Sequence, residues 1–311
     1  MEDMIRIAES FGVTPLCVYK TKYFYTVKCH KVEFRLIPTS LSEDRLRELF
    51  EIKERLFKSG LKVCDRFILS SAGNICAEGE EGRYIMTEAV RGHNPEFENS
   101  SVMKEVFSAL GAMHGVLRGI DCQRRDILED YKKGVSRLKA IKKQLGCSKR
   151  LNDFDIDFIK NYADFYEPAR TAVKNLEELS FGVTSPIHGA VKEDNILVGR
   201  NVIITDWEMF RPGHFMEDTA QLIARYVRKY ACKNTDFLSI DEILYNYTLH
   251  NPSDDRDIAV LYALLMYPKR FINICTKHYS GAHKFAPAGV RYKFEECCRQ
   301  REFVLNYIGL K

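Results

Sequence analysis

Hydrophobic and polar positions follow two different periods along this chain, and the change falls near residue 90. Before it, short apolar runs at 16–19, 23–27 and 32–37 carry the two-residue alternation of strands. Ser42-Glu43-Asp44 then opens a predicted helix whose apolar face is Leu46, Leu49, Phe50, Ile52 and Leu56. Gly60 closes it. Two further strands are predicted at 67–69 and 84–86, with a turn at Gly73-Asn74 between them. Beyond Gly92 the period becomes helical. Met103, Val106, Phe107, Leu110, Met113 and Leu117 form one stripe. His114 lies on that stripe and reads as a satisfied core histidine and not a ligand. Helices are predicted over 129–145, 154–179, 215–231, 238–249, 256–278 and 289–308. The pattern is α+β in two lobes: a β-rich lobe over 1–88 and a mostly helical lobe over 89–311. They meet at Glu88-Ala89-Val90, and a ligand cleft is expected between them.

Composition narrows the picture only a little. The 311 residues suffice for two lobes with sizeable cores, and a net charge of +4 is too small to imply nucleic acid. No apolar run approaches the ~20 residues of a membrane span. The acidic start Met1-Glu2-Asp3 lacks a signal-peptide core, so cytosolic synthesis is expected. Ten scattered cysteines make no Cys-x-x-Cys unit, which argues for reduced thiols and against structural zinc. The basic helix at 129–145 reads as a solvated face, with docking of an acidic partner as the alternative.

The chemistry concentrates at 188–208. His188-Gly189-Ala190-Val191-Lys192-Glu193-Asp194-Asn195 runs into the apolar strand Ile196-Leu197-Val198. A second strand, Val202-Ile203-Ile204-Thr205, ends at Asp206-Trp207-Glu208. If Arg200-Asn201 form a two-residue loop, Asn195 stands opposite Asp206. An amide oxygen and a carboxylate at the ~5 Å of a cross-strand pair can share a hard cation such as Mg2+. Alone, the two would read as ordinary strand-end residues.

This arrangement resembles the active-site segment of the aminoglycoside phosphotransferase and choline kinase-like proteins. The resemblance implies a bilobal protein kinase-like fold, with Asn195 and Asp206 as metal ligands, ATP and Mg2+ as cofactors, and His188 as the brace of the catalytic loop. It also implies that Asp218 opens and caps the helix that follows. In that superfamily the position of Ala190 is the catalytic Asp. Alanine cannot accept a proton. Glu193 and Asp194 are the candidate substitutes in the same loop. The phosphate-holding lysine falls at Ile37, where its helix partner would be Glu48 or Glu51. Arg35, on the same strand face, is a partial substitute. Glu88 belongs to the nucleotide-binding set at the lobe junction. No glycine occurs between Gly12 and Gly60, so the expected phosphate-covering turn is Lys20-Thr21-Lys22.

Across residues 5 to 308 the chain also resembles spore coat proteins of the CotS type. The segments are Tyr23-Phe24-Tyr25-Thr26-Val27-Lys28, Lys53-Glu54-Arg55-Leu56, Tyr84-Ile85-Met86, Leu110-Gly111-Ala112-Met113-His114 and Tyr267-Pro268-Lys269-Arg270-Phe271. That likeness implies synthesis in a mother-cell cytoplasm, incorporation in the spore coat, and other coat or morphogenetic proteins as partners. Three activities remain open at this level: a catalytically impaired pseudokinase acting in coat assembly, an active phosphotransferase on a small molecule or coat protein, and a nucleotide-binding module without chemistry. The cofactors are accordingly ATP and Mg2+, or none.

Overall fold

The computed structural model describes residues 2–123, 125–230, 238–281 and 286–309. The order is α1 (Glu2–Ser10), β1 (Cys17–Lys20), β2 (Tyr25–Lys28), β3 (Glu33–Thr39), α2 (Glu43–Lys58), β4 (Phe67–Ile68), β5 (Cys76–Gly79) and β6 (Gly82–Glu88). Then come α3 (Ser100–Leu117), α4 (Leu128–Gly146), α5 (Asp153–Glu178), β7 (Ser185–Ile187), β8 (Ile196–Val198), β9 (Val202–Ile204) and β10 (Arg211–Gly213). The chain finishes with α6 (Met216–Tyr230), α7 (Ile240–Thr248), α8 (Asp255–Met266), α9 (Lys269–Tyr279) and α10 (Ala288–Tyr307).

The sheet is antiparallel in the order β1-β2-β3-β6-β4, and β5 continues along the β4 edge of β6. Strand alternation divides its residues between two cores. Val27, Leu36, Tyr84 and Met86 face α1, where Met4, Ile7 and Ala8 cover them. Ile37 and Ile85 face the other way, toward α2 and the helical half. Neither α1 nor β5 stands out in the sequence. The first is only nine residues long, and the second, Cys-Ala-Glu-Gly, has almost no apolar alternation.

Packing does not stop at residue 88. One core joins Leu46, Leu49 and Leu56 of α2 to α3 and on to α9 and α10. The β8–β9 hairpin is held on both edges by chain outside the regular strands. His93 and Val198 exchange backbone hydrogen bonds of 3.0 and 2.8 Å, and the Ile204 N–H donates to the Val63 carbonyl at 2.7 Å. On the far side α3 lies almost in contact with the end of α7. A Cβ at Gly111 would sit 2.2 Å from the Tyr247 carbonyl oxygen.

The single helix expected over 256–278 is two. Pro268 supplies no N–H, and the residue before a proline is driven toward extended backbone. Tyr267 accordingly takes φ −69° and ψ 118°, and the α8 and α9 axes differ by 41°. Among the described residues no single helix is long and apolar enough to cross a membrane. The described cysteines are free thiols; Cys232 lies outside the described residues.

Candidate active site

The 188–195 loop is bound from below by one carboxylate. Asp218, fully buried in the first turn of α6, accepts the backbone N–H groups of His188 at 2.8 Å and Gly189 at 2.9 Å. The expectation that Asp218 caps its own helix is therefore corrected. That end of α6 is served by Glu217, which accepts the His214 N–H, and by the His214 ring, which accepts the Met216 N–H. Burial pushes the Asp218 carboxyl up. The hydrogen bond and charge of His114, with those of His188, outweigh that and hold it below the ordinary carboxylate value. His114 Nε2 lies 3.4 Å from Asp218, and its Nδ1 lies 2.8 Å from the Tyr247 hydroxyl. His114 is thus a core histidine with both ring nitrogens engaged, and it is also one link of the loop support.

His188 is buried and neutral. Desolvation lowers its pKa most, against Asp218 and the Thr205 carbonyl, which raise it. The Ala190 N–H donates to Nδ1 at 3.3 Å, so the proton belongs on Nε2, which donates to the Thr205 carbonyl at 2.9 Å. The imidazole thereby joins the loop to the end of β9. Gly189 is required between them. Its φ is +78°, and a Cβ there would meet the Met209 carbonyl oxygen at 2.3 Å.

The hairpin register differs from the expected one. The pairs are Ile196↔Ile204 and Val198↔Val202, so the loop spans Gly199-Arg200-Asn201 and has three residues. Asn195 therefore meets Thr205, whose N–H donates to the Asn195 carbonyl at 2.8 Å, and Asp206 falls one residue beyond. Asp206 then takes the left-handed conformation, φ 63° and ψ 63°, which costs a non-glycine residue about 1–3 kcal/mol. The Asn195 side chain is buried and donates Nδ2 to the Ala190 carbonyl at 3.0 Å, leaving Oδ1 as the outward acceptor. The Asp206 carboxylate is half-exposed, with Lys192 Nζ 3.9 Å away. Glu208 adds a second carboxylate. Partial burial first, and then the Asp206 charge, raise its pKa. An amide oxygen with one or two carboxylates is a donor set that a hard divalent cation accepts.

The other loop candidates have charged neighbours of their own. Glu193 pairs with Lys229 of α6 at 3.4 Å. Asp194 is exposed, and its charge reaches Lys22 in the β1–β2 turn. The Ala190 backbone is held at both its N–H and its carbonyl, so its methyl occupies a constrained place in the loop.

On the sheet side, Arg35 and Ile37 do share one face, opposite Thr87 and Ile85. Ile37 packs into the shared core. Arg35 donates Nη2 to the Val90 carbonyl at 3.0 Å and lies 4.9 Å from the centre of the Phe24 ring. It spans from the sheet to the lobe junction, and burial lowers its pKa despite the Asp65 charge. Thr87 Oγ1, on the facing strand, is buried with no hydrogen-bond partner. Glu88 is exposed; its N–H donates to the Arg66 carbonyl. Glu48 does not await a lysine, because it pairs with Arg45 at 2.5 Å, and Glu51 is exposed.

Two contacts here had no place in the sequence reading. Lys53 of α2 and Asp65 form an ion pair of 2.8 Å, with side chains only 4% and 6% exposed, and Lys53 lies over the Phe67 ring. Its charge reaches His188, and that of Asp65 reaches Arg35. The cleft thus has a buried lysine, but α2 supplies it and not β3. The available signal was a lysine inside the apolar stripe of α2, four residues after Leu49 and three before Leu56. The second contact is Arg45, which donates to the Phe210 carbonyl and stacks on its ring, joining α2 to the segment after Asp206.

The overall fold, a six-stranded antiparallel sheet beside a helical half, recurs in solved structures. An aminoglycoside phosphotransferase from Alicyclobacillus acidocaldarius superposes with a TM-score of 0.84, covering 98% of this chain and 93% of that one at 14% identity. The fold is that of the aminoglycoside phosphotransferases and choline kinases. Spectinomycin phosphotransferase APH(9)-Ia, in complex with ADP and spectinomycin, follows at 0.69, with 98% of each chain covered and 12% identity. Choline kinase LicA from Streptococcus pneumoniae gives 0.56, with 97% and 99% covered and 14% identity. No protein-family model matches the sequence, and no curated protein is similar to it. At these identities the phosphotransferase likeness is one of fold.

Proposed function

We propose that this chain is a catalytically impaired member of the phosphotransferase fold, acting in spore coat assembly and retaining a cleft able to hold a magnesium–nucleotide complex. One observation carries the impairment. The loop keeps its support from Asp218, His188 and Asn195, while the position held by the general base in the fold family is the methyl of Ala190. In support of this reading, Glu193 is paired with Lys229, and Asp194 is exposed with its charge felt by Lys22. Losing a general base typically costs a factor of ~10²–10⁴ in rate. The coat role, with other coat or morphogenetic proteins as partners and a path from mother-cell cytoplasm to coat, rests on the CotS-type segments of the sequence.

For the cofactor, Asn195 Oδ1 and the Asp206 carboxylate would hold Mg2+, with Glu208 nearby. When bound, the ion supplies charge compensation for phosphate oxygens. The chain's own residues set the limits of that site. Lys192 lies beside Asp206 and is displaced or shared when a cation arrives. Arg35 occupies the space between β3 and the Val90 carbonyl, at the junction where a nucleotide would meet the linker. Lys53 is committed to Asp65.

Thermal unfolding with and without Mg2+ and ATP tests this reading, on the wild type and on Asp206→Ala. A ligand at 100 times its dissociation constant stabilises by about 2.7 kcal/mol. The expected outcome is a magnesium-dependent rise in midpoint that disappears in Asp206→Ala, with no phosphate transferred to alcohols, amines or the protein itself. Turnover by the wild type that Asp206→Ala abolishes would replace this reading with that of an active kinase. No shift at millimolar ATP would remove the nucleotide and leave the scaffold role alone.

A further inference from the structure

The helical half carries a half-open cavity of about 690 Å³, walled by α6, α9 and α10, with Glu193 of the braced loop among its lining residues. Its charge is unbalanced. Three carboxylates line it, and each is already engaged. Glu193 pairs with Lys229, Glu217 with Arg211 and the Tyr131 hydroxyl, and Glu296 with Arg270. Arg225, Arg228 and Arg301 line the same space, and among the described residues none of the three has a carboxylate partner. Several of their donors are also unmet. Arg225 Nε and both Nε and Nη2 of Arg301 are buried without a hydrogen-bond acceptor, and so is the buried Gln300 Oε1 without a donor. Lys269 and Lys293 add two exposed cations at the cavity wall.

Buried guanidinium groups ordinarily find carboxylates or carbonyls, because leaving a charged donor unpaired in a low dielectric is costly. Here burial, followed by repulsion from the Arg270 and Arg225 charges, pushes Arg228 down to about 10. Carboxylate charge reaches Arg225 only at longer range, from Glu193, which is paired with Lys229, and from Asp194. The guanidinium fork matches the oxygens of phosphate or carboxylate groups, and three forks converging on one space suit a ligand of several negative charges.

We propose that this cavity binds a small polyanion bearing phosphate or carboxylate groups, held by Arg225, Arg228 and Arg301. The site borders the 188–195 loop through Glu193, and the proposal does not depend on the nucleotide reading. Its position beside Glu193 joins it to the catalytic-loop segment through the Glu193–Lys229 pair.

Calorimetric titration of the full chain tests this, with protein and buffer passed over a chelating resin beforehand so that no divalent ion fills the cleft and no soluble chelator competes, at about 0.15 M chloride so that exposed charges are screened. Pyrophosphate and citrate are the two probes. Saturable binding is expected, weakened at least tenfold in Arg225→Gln and in Arg301→Gln. It should be unchanged in Arg170→Gln, whose arginine is exposed and pairs with Glu167. Arg301 also lies over the Phe165 ring, so Arg228→Gln takes its place if Arg301→Gln fails to fold by circular dichroism. Binding of pyrophosphate alone assigns a phosphate ligand, and of citrate alone a carboxylate. Absence of saturable binding for both at millimolar concentration overturns the proposal, as does wild-type affinity in Arg225→Gln.

Discussion

At the scale of single residues, the loop from His188 to Asn195 is notable for how much of its support survives around a methyl group. If the remaining geometry is competent, restoring the carboxylate should be felt strongly. Ala190→Asp is expected to raise ATP turnover by a factor of ~10²–10⁴, read as phosphate release with Mg2+. An unchanged rate would place the defect elsewhere, at Ile37 or Arg35, and Ala190→Asp with Ile37→Lys becomes the informative pair. Gly189 offers a sharper structural check. With φ +78° and the Met209 carbonyl 2.3 Å from any Cβ, Gly189→Ala combines backbone strain with a clash. A loss of about 2–4 kcal/mol is expected in chemical denaturation. A change below about 0.5 kcal/mol would show that the loop can move away from Met209.

At the scale of elements, α2 packs between the two halves. Its sequence alone reads as an amphipathic helix with Ser42 as N-cap, and that much is realised: the Ser42 hydroxyl accepts the Arg45 N–H. What the pattern does not convey is that its buried stripe carries a lysine inward to Asp65, and that Arg45 reaches across to Phe210. Removing one member of a buried ion pair leaves the other charge unpaired, at a cost of about 3–5 kcal/mol. Lys53→Met should therefore destabilise by that amount, measured in urea. Lys53→Met with Asp65→Leu should recover most of it, and no recovery would mean that Asp65 serves another cation such as Arg35. The hairpin makes the same point about register. A Gly-Arg-Asn turn is legible as a turn, but whether two or three residues form it depends on contacts with His93 and Val63, more than a hundred residues earlier. Similarly, Asp218 at a helix start looks like a cap from its own neighbours. The backbone N–H groups that donate to it are thirty residues upstream, across a fold that local pattern does not specify.

At the scale of the whole molecule, two buried histidines set an acid limit. Desolvation lowers the pKa of His188, and it takes His214 to about 4, with the Glu217 charge opposing. Unfolding releases both rings to water, where their pKa is about 6.5. The unfolded chain then binds more protons, so stability rises with pH in this range. The contribution is fully present above about pH 6.5 and is lost as pH falls toward the folded pKa, near 4 for His214. A shift of that size corresponds to about 3 kcal/mol for His214. Asp218, also depressed, adds a loss below about pH 4. Urea midpoints measured from pH 7 to pH 4 should fall steadily, and less steeply in His214→Gln. A flat profile would mean that both rings are reached by water in the folded state.

The sequence by itself determined the classes and order of most elements and the α+β arrangement, and it singled out 188–208 as the candidate chemical segment, with Ala190 in its loop. These follow from short-range physics: side-chain period, turn chemistry, and residue types that only one kind of site collects. Only the tertiary structure decided the hairpin register, the break at Pro268, the duty of Asp218 and His114 toward the loop, the paths of Glu193 and Arg35, and the buried Lys53–Asp65 pair. Each of those depends on which distant backbone or charge arrives beside a given side chain. A buried polar group must take its partner from whatever the fold brings within about 3 Å, and nothing in its local sequence names that partner.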